Sequence, residues 1–510
     1  MVSQKIKTLE ELGIVSKELK SQGKRIVQCH GVFDLMHPGH VKHFWAAREL
    51  GDVLVVTITG DAYVQKGPGR PVFNERLRAE TIASLSPVDF VAVNYAPEAV
   101  PAIEMIRPNV YFKGGEYSEA VNDMTRGMGR EAAAARSSGG DVAFSNEVTF
   151  SSSELLNQFF SPYPPATNEF LKDFKARHTY EEIRKLLESV RDLKVLVIGE
   201  SIIDEYHYAT PMGKSAKEAI LATRFISEES FAGGVLACAN HLAGICRQVD
   251  LVTAVGTEEG SEAFIRAGLK TNVQSKIFTH PHAPTIRKRR YIDPPFLTKM
   301  FEVYFFDDRP LAAPIEAELA AYLEPNLSKY DLVIAVDYGH GLLNKSLRDL
   351  LAAKSKFLAM NAQANSGNLG YHTINKYNRA DYVCIDHAEA RLALGVKHIG
   401  EEMTWEDAIR TLAGRLGAKK FVITLGHEGC MAYDNDQISR VPVLSQRVVD
   451  RVGAGDAFLA ITSPLAAIGA PNELIGFIGN AVGAIAVTIV GNKKSVEPKY
   501  LMQSMRAMLK

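Results

Sequence analysis

Apolar positions along this chain come in short runs separated by stretches of helical period. Residues 1–24 place Leu9, Leu12 and Leu19 on one side of an amphipathic helix. Residues 25–33 read as a strand ending in a glycine turn, and a helix is expected from about residue 41 to about residue 50. Residues 52–60 are nearly continuous in β-branched side chains, the composition of a parallel strand covered on both faces. The segments ERLRAETIASL, DFVAVNY, AVPAIEMIRP and NVYFKGG continue as helix, strand, helix and strand. This alternation predicts a doubly wound parallel sheet reaching to about residue 160.

Residues 161–169, SPYPPATNE, are rich in proline and polar side chains and read as a linker. A charged helix, TYEEIRKLLESVRD, leads to a new strand at 194–204, and alternation resumes through DLVTAVG, DLVIAVDYG, KFLAMN, YVCID and KFVITLG. The expected fold class is α/β with two doubly wound parallel-sheet domains, at 1–160 and 190–510. Residues 161–189 form the linker and connecting helix between them.

Bulk properties narrow the function classes. A chain of 510 residues exceeds one compact core. Its net charge of −1 supplies no global attraction to nucleic acid or an anionic membrane, so neither is an expected partner. The five cysteines, Cys29, Cys238, Cys246, Cys384 and Cys430, contain no Cys-x-x-Cys pair. That suits a reducing compartment, and a cytoplasmic location is expected. The N-terminal residues lack the apolar core of a signal peptide. The apolar stretch at 464–491 is interrupted by Pro471, Asn472, Glu473 and Asn480, and reads as buried helices rather than a membrane span.

The sharpest local feature is Gly31-Val32-Phe33-Asp34-Leu35-Met36-His37-Pro38-Gly39-His40, between the first strand and the next helix. Ligands of open α/β sheets bind beyond the carboxyl ends of strands. Two imidazoles spaced by three share one side of a helical turn, where they can donate to phosphate oxygens while the helix N-terminus favours an anion. Gly39 permits close approach of a nucleotide. A histidine pair alone could equally be a metal pair or ordinary turn residues. The ten-residue context carries the functional reading.

That stretch resembles the nucleotidyltransferase superfamily of glycerol-3-phosphate, ethanolamine-phosphate and heptose-1-phosphate nucleotidylyltransferases. Further matching pieces are Gly60-Asp61 with Lys66 in the following loop, the segment from Arg70 to Arg76, Lys113-Gly114-Gly115-Glu116, and Phe150-Ser151-Ser152-Ser153-Glu154. The resemblance implies attack of a substrate phosphate on the α-phosphorus of CTP or ATP, with pyrophosphate leaving. His37, His40 and Lys113 are the implied catalytic groups. Gly31, Phe33, Asp34, Gly39, Lys66, Arg76, Ser152 and Ser153 are the implied nucleotide and phosphate contacts. Read alone, Ser152 and Ser153 could be simple N-caps and Lys66 a solvated loop charge.

The second feature is Asp450-Arg451-Val452-Gly453-Ala454-Gly455-Asp456. Small residues at 453–455 allow a tight turn whose N–H groups converge on an anion, and Asp456 at the helix start can accept a proton from an attacking hydroxyl. By itself this is also an N-cap behind a glycine turn. Residues 190–510 nevertheless resemble ribokinase-like sugar kinases. They carry Phe231-Ala232-Gly233-Gly234, a first strand closing on Asp204, Asp337-Tyr338-Gly339-His340-Gly341, and Val422 to Gly429 with Gly426 at the turn.

The resemblance implies Asp456 as base, Gly453, Ala454 and Gly455 as the anion hole, and Gly426 beside the nucleotide. It also implies Asp204, Gly233 and Gly234 at the sugar. Asp386 and Glu389 would act on magnesium through water, with ATP as donor. Four positions depart from the family pattern: Ala237, His340, Asp386 and Arg451. A small β lid built from 205–230 and 285–305 is implied, and with it a homodimer. The basic run from Arg287 to Arg290 reads as a solvated strand edge, with contact to a phosphorylated ligand as the alternative.

Together the halves resemble the bifunctional heptose-7-phosphate kinase/heptose-1-phosphate adenylyltransferase family with its domain order reversed. The implied product is a nucleotide-activated sugar, heptose being the first expectation. The alternative keeps only the nucleotidyltransferase active, for a CDP-alcohol such as CDP-glycerol, with the kinase half a binding or dimerising scaffold.

Overall fold

The computed structural model describes residues 2–64, 70–115, 127–145, 163–307, 309–445 and 447–509. The chain divides into two compact units, one of residues 1–162 with a few C-terminal residues, the other of nearly all the rest from Tyr163.

The first unit opens with two helices where one was expected: α1 (Val2–Lys5) and α2 (Leu9–Ser21). They separate because Ile6 bridges to Val91 and Thr8 starts a capping box with Glu11. Five parallel strands follow, β1 (Ile26–Gly31), β2 (Val53–Thr59), β3 (Phe90–Asn94), β4 (Val110–Lys113) and β5 (Asp141–Phe144), in the order β3-β2-β1-β4-β5. All seven residues of β2 are buried. Its Leu54, Val56 and Ile58 pack in one core and Val53 and Val55 in another, as alternation in a doubly covered strand requires. Helices α3 (Pro38–Arg48), α4 (Glu75–Ala83), α5 (Val100–Ile106) and α6 (Gly127–Ser137) connect the strands. The order reverses at β1, so the loops leaving β1 and β4 part and open a crevice.

The second unit begins in the stretch read as linker. Pro165 occupies the first turn of α7 (Pro165–Arg177), whose Phe174 is fully buried and stacks 4.3 Å from Phe477. Its main sheet has nine strands: β6 (Val195–Gly199), β9 (Val249–Val255), β10 (Val273–Thr279), β13 (Leu332–Asp337), β14 (Leu358–Ala362), β15 (Tyr382–Asp386), β16 (Lys420–Thr424), β17 (Cys430–Asp434) and β18 (Gln437–Val441). The order is β10-β9-β6-β13-β14-β15-β16-β17-β18, parallel from β10 to β16 and antiparallel beyond. The reversal lies at β6, next to β13.

The other four strands form a separate lid: β7 (Ser201–Lys214), β8 (Leu221–Gly234), β11 (Ile286–Asp293) and β12 (Thr298–Phe305), ordered β12-β11-β7-β8. The basic run is therefore not a sheet edge, because β11 is hydrogen-bonded on both sides. Its side chains alternate, with Lys288 at 7% and Arg290 at 9% exposure facing in. No helix among the described residues is long and apolar enough to cross a membrane. All five cysteines are buried and unbridged.

Candidate active sites

In the first unit, Gly31 ends β1, and a side chain there would meet the Phe33 ring at 3.1 Å. Phe33 itself takes a left-handed backbone (φ +47°), a conformation a bulky residue holds only where its surroundings enforce it. Its ring is buried against His40 (5.2 Å, edge-on) and Phe44 (5.0 Å). His37 is the N-cap of α3, Pro38 and Gly39 begin the helix, and the His37 and His40 rings stack with centroids 3.9 Å apart. Two imidazoles thus stand together over a helix N-terminus at the crevice.

Lys113 ends β4 on the other side of that crevice. Its Nζ lies 3.2 Å from Glu131 Oε2 and donates to the His30 carbonyl at 3.2 Å. Glu131 also accepts from the Tyr111 hydroxyl at 2.8 Å and the Ala99 amide at 3.1 Å. Burial raises the Glu131 carboxyl, but Lys113, His30 and these donors outweigh it and hold it below the usual carboxylate range. Burial, reinforced by Lys113, depresses His30 and His43 to about 4, so both are neutral imidazoles at neutral pH.

Two expected contacts change role. Asp34 accepts from the Val72 amide at 2.6 Å and pairs with Arg70 at 3.3 Å, which anchors the 70–73 loop. Arg76 projects outward, its side chain 85% exposed and paired with Glu80. The buried arginine is Arg78, two positions on, which donates to the carbonyls of Val32 (2.5 Å), Thr59 (2.9 Å) and Phe73 (2.9 Å) and to Asp61 (2.6 Å). It shares the inward stripe of α4 with Ala79, Ile82 and Ala83, a placement that helical periodicity alone could have found. Lys66, Ser152 and Ser153 lie outside the described residues.

In the second unit, Gly453 takes φ +81°, and a Cβ there would fall 2.1 Å from Asn492 Oδ1. The turn delivers Ala454 and Gly455 into helix α8 (Ala454–Ala467), and a Cβ on Gly455 would meet open space. Asp456 sits in that first turn, 8% exposed, its Oδ1 accepting from the Tyr338 hydroxyl at 2.5 Å. Burial lifts its carboxyl to about 7; Tyr338 and Lys288 pull it down and Asp204 pushes it up.

At the switch point, Glu200 follows β6 and accepts from the amides of Tyr338 (3.0 Å) and His340 (3.1 Å), fixing the turn after β13. Burial and the neighbouring Asp337 raise it to about 8. Asp204 pairs with Arg290 at 2.5 Å and accepts from Asn492 at 3.2 Å. A Cβ on Gly233 would lie 2.0 Å from Asp204 Oδ2, so only glycine lets β8 pass this carboxylate. Gly234, at φ +61°, likewise packs on the Glu200 carbonyl.

Asp450, just before the turn, accepts from Lys299 (2.5 Å), Tyr206 (2.6 Å) and the Gly491 amide (2.9 Å). Asp386 and Glu389 form a reciprocal capping box at the start of a helix (His387–Leu394). Burial, then Asp386, raises Glu389 to about 8. Gly426, at φ +61°, opens the turn after β16. Of the departures, Ala237 and His340 are buried and Arg451 is exposed. His340 packs 4.8 Å from Phe306, and burial depresses it to about 3.

The first unit is therefore a nucleotide-site α/β sheet. The second is a phosphotransferase fold, a parallel sheet with a β lid over a glycine turn and a buried aspartate. The chain belongs to the pfkB family of carbohydrate kinases, matched over residues 192–499, with a cytidylyltransferase-like match over residues 29–155.

Among curated relatives, the bifunctional protein HldE of a Nitratiruptor species is 43% identical over 114 residues, 22% of this chain and 25% of that protein. HldE of Citrifermentans bemidjiense is 39% identical over 163 residues, 31% of this chain and 32% of the relative. The matched stretch thus spans about a quarter to a third of these relatives' length, it falls in the N-terminal part here, and the domain order is the reverse of theirs. Phosphofructokinase-2 from Escherichia coli shares the fold of the second unit, with a TM-score of 0.50, 14% identity, and coverage of 62% of this chain and 100% of that one.

The contrast between the two arginines of α4 is directly measurable. Arg78→Ala, which leaves three carbonyls short of a donor, is expected to cost about 3 kcal/mol of unfolding free energy by urea titration. Arg76→Ala stays within about 0.5 kcal/mol of the parent. Equal losses in both would contradict the roles described.

Proposed function

We propose that the chain makes a nucleotide-activated sugar, one site phosphorylating a sugar or sugar phosphate with ATP and the other coupling a sugar 1-phosphate to CTP or ATP. Heptose is the first acceptor to test. The observation that carries this reading is shared by both sheets: each presents a helix N-terminus with side chains suited to phosphate transfer beside its own switch point, the imidazoles of His37 and His40 in one and the carboxyl of Asp456 behind Gly453, bonded to Tyr338 after β13, in the other.

In the first site a phosphate oxygen of the acceptor attacks the α-phosphorus. The new P–O bond forms as the bond to pyrophosphate breaks, and no covalent enzyme intermediate is required. His37, His40 and the amides at the start of α3 stabilise the charge on the transferring phosphate, and Lys113 faces the phosphates from across the crevice. Asp34 and Arg78 act by holding the surrounding loops.

In the second site Asp456 takes the proton of the acceptor hydroxyl as that oxygen attacks the γ-phosphorus and ADP leaves. The amides at 453–455 receive the transferring group. Among the described residues no cluster of three or more ligating side chains forms a metal cage. Magnesium in this reading comes with the triphosphates, Asp386 and Glu389 acting on it through water, and it supplies charge neutralisation there.

The lid supports a homodimer. Its outer face carries one ring per strand, Phe301, Tyr291, His207 and Phe225, with successive centroids 4.5, 5.3 and 6.0 Å apart. Phe225 and Phe301 are 57% and 45% exposed. A ladder of this kind fits a second copy of the same lid.

Three outcomes are expected. Asp456→Asn abolishes ADP formation and leaves pyrophosphate release intact, while His40→Ala does the reverse, each by at least about 100-fold. Undiminished ATP consumption in Asp456→Asn removes the kinase assignment. Because Asp456 must be ionised to act as base and sits at about 7, kinase kcat/KM climbs with pH through that value; a rate flat between pH 6 and 8 contradicts it. Phe225→Glu with Phe301→Glu yields monomers in analytical ultracentrifugation, whereas a parent already monomeric rules the dimer out.

A further inference from the structure

The lid brings a buried cation to the kinase site that the mechanism above leaves unused. Arg287 and Arg289 turn outward onto Glu205, at 2.9 and 2.7 Å. Inward-facing Arg290 is committed to Asp204 at 2.5 Å and Glu302 at 3.3 Å. Lys288, equally inward and 7% exposed, places its ammonium between two rings, 5.2 Å from the centroid of Tyr304 and 5.4 Å from that of Tyr338. Tyr338 is the residue whose hydroxyl donates to Asp456 at 2.5 Å.

Lid cation, aromatic ring and carboxylate are thereby linked in succession. A cation on the face of a phenol draws electron density from the ring and strengthens its O–H as a donor. In a site this dry its direct attraction for a neighbouring carboxylate is also weakly screened.

We propose that Lys288 is a positioning residue of phosphoryl transfer: carried on the lid and seated on Tyr338, it holds Asp456 in the ionised form that accepts the acceptor's proton. This rests on the kinase reading of the second unit. Tyr338 from the loop after β13 donates to Asp456, Asp204 from β7 and Lys288 from β11 act on it through their charge, and its own charge acts on Cys238 of the helix Val235–Ile245 and Glu389 of the helix His387–Leu394. Burial and Asp204 disfavour its ionisation, while Tyr338 and Lys288 favour it. Burial likewise works against the charge on Lys288, and Asp204 and Asp456 sustain it, so lysine and aspartate support each other's charged forms.

The test pairs a carboxyl titration, which needs neither acceptor nor ATP, with an assay of ATP-dependent phosphorylation. In the full-length chain, the infrared band of a protonated carboxyl, assigned by its loss in Asp456→Asn, is followed against pH. Lys288→Met keeps the apolar stem and removes the charge. Its midpoint is expected to move up by about one pH unit, and Lys288→Arg to restore it. An unmoved midpoint in Lys288→Met with parental thermal unfolding overturns the proposal, and Lys288→Gln gives the same comparison if the methionine variant does not fold. A shifted midpoint without kinase activity sinks the kinase reading alone. An unshifted midpoint in an active kinase sinks the role of Lys288 alone.

Discussion

A parallel sheet sets every strand's carboxyl end on one edge, and where the strand order reverses the two flanking connections must diverge. Both units are built around that constraint. In the first, the reversal at β1 puts the loop carrying His37 and His40 on one side and the end of β4, with Lys113, on the other. In the second, the reversal at β6 puts Glu200 against the turn that follows β13, and that turn supplies Tyr338 to Asp456. Under the proposed reading the chemistry occupies the places where the backbone leaves room, and the helices that begin there favour an anion.

The kinase pocket then has an electrostatic problem. Glu200, Asp204, Asp337, Asp450 and Asp456 are all less than 9% exposed, and buried carboxylates are costly unless paired or protonated. The lid answers part of this: Arg290 meets Asp204, Lys299 meets Asp450, and Lys288 stands by Asp456 through Tyr338. Local donors answer the rest, Tyr377 and the Gly339 amide for Asp337, two turn amides for Glu200. Asp450, which gains Lys299, is held below its usual range, whereas Glu200 and Asp456 are lifted toward neutrality. An Asp456 carboxyl near 7 is the product of that uneven distribution, and the lid is as much a source of charge as a cover.

What could be read from the sequence is what consecutive residues encode. Strand and helix periods, the histidine pair before a helix and the glycine turn before Asp456 are each written within ten residues. The roles of Asp34 and Arg76 were not legible, because the first depends on where a loop near residue 72 returns and the second on which side of α4 faces in. The basic run was misread for a related reason. Four cations in a row look solvated, yet β11 is an inner strand, and alternation sends two of them into the site against partners from β7 and β12. The linker reading of 161–169 failed from residue 163 on, because proline ends a helix in its interior but starts one at its first turn, as at Pro165.

The residues assigned to the two reactions divide between the two units. Every residue assigned to nucleotidyl transfer precedes Tyr163, and every one assigned to phosphoryl transfer follows it. The switch point, the helix N-terminus and the compensating charges of each are supplied by its own sheet and, in the kinase, its own lid. The domain order is the reverse of that in the HldE relatives. Acceptor choice is a different matter. It depends on the side chains around the reacting groups, and of the departures Ala237 and His340 are both buried. Under the proposed reading, keeping the glycine turn and Asp456 while changing neighbouring side chains alters what is phosphorylated more than how it is phosphorylated.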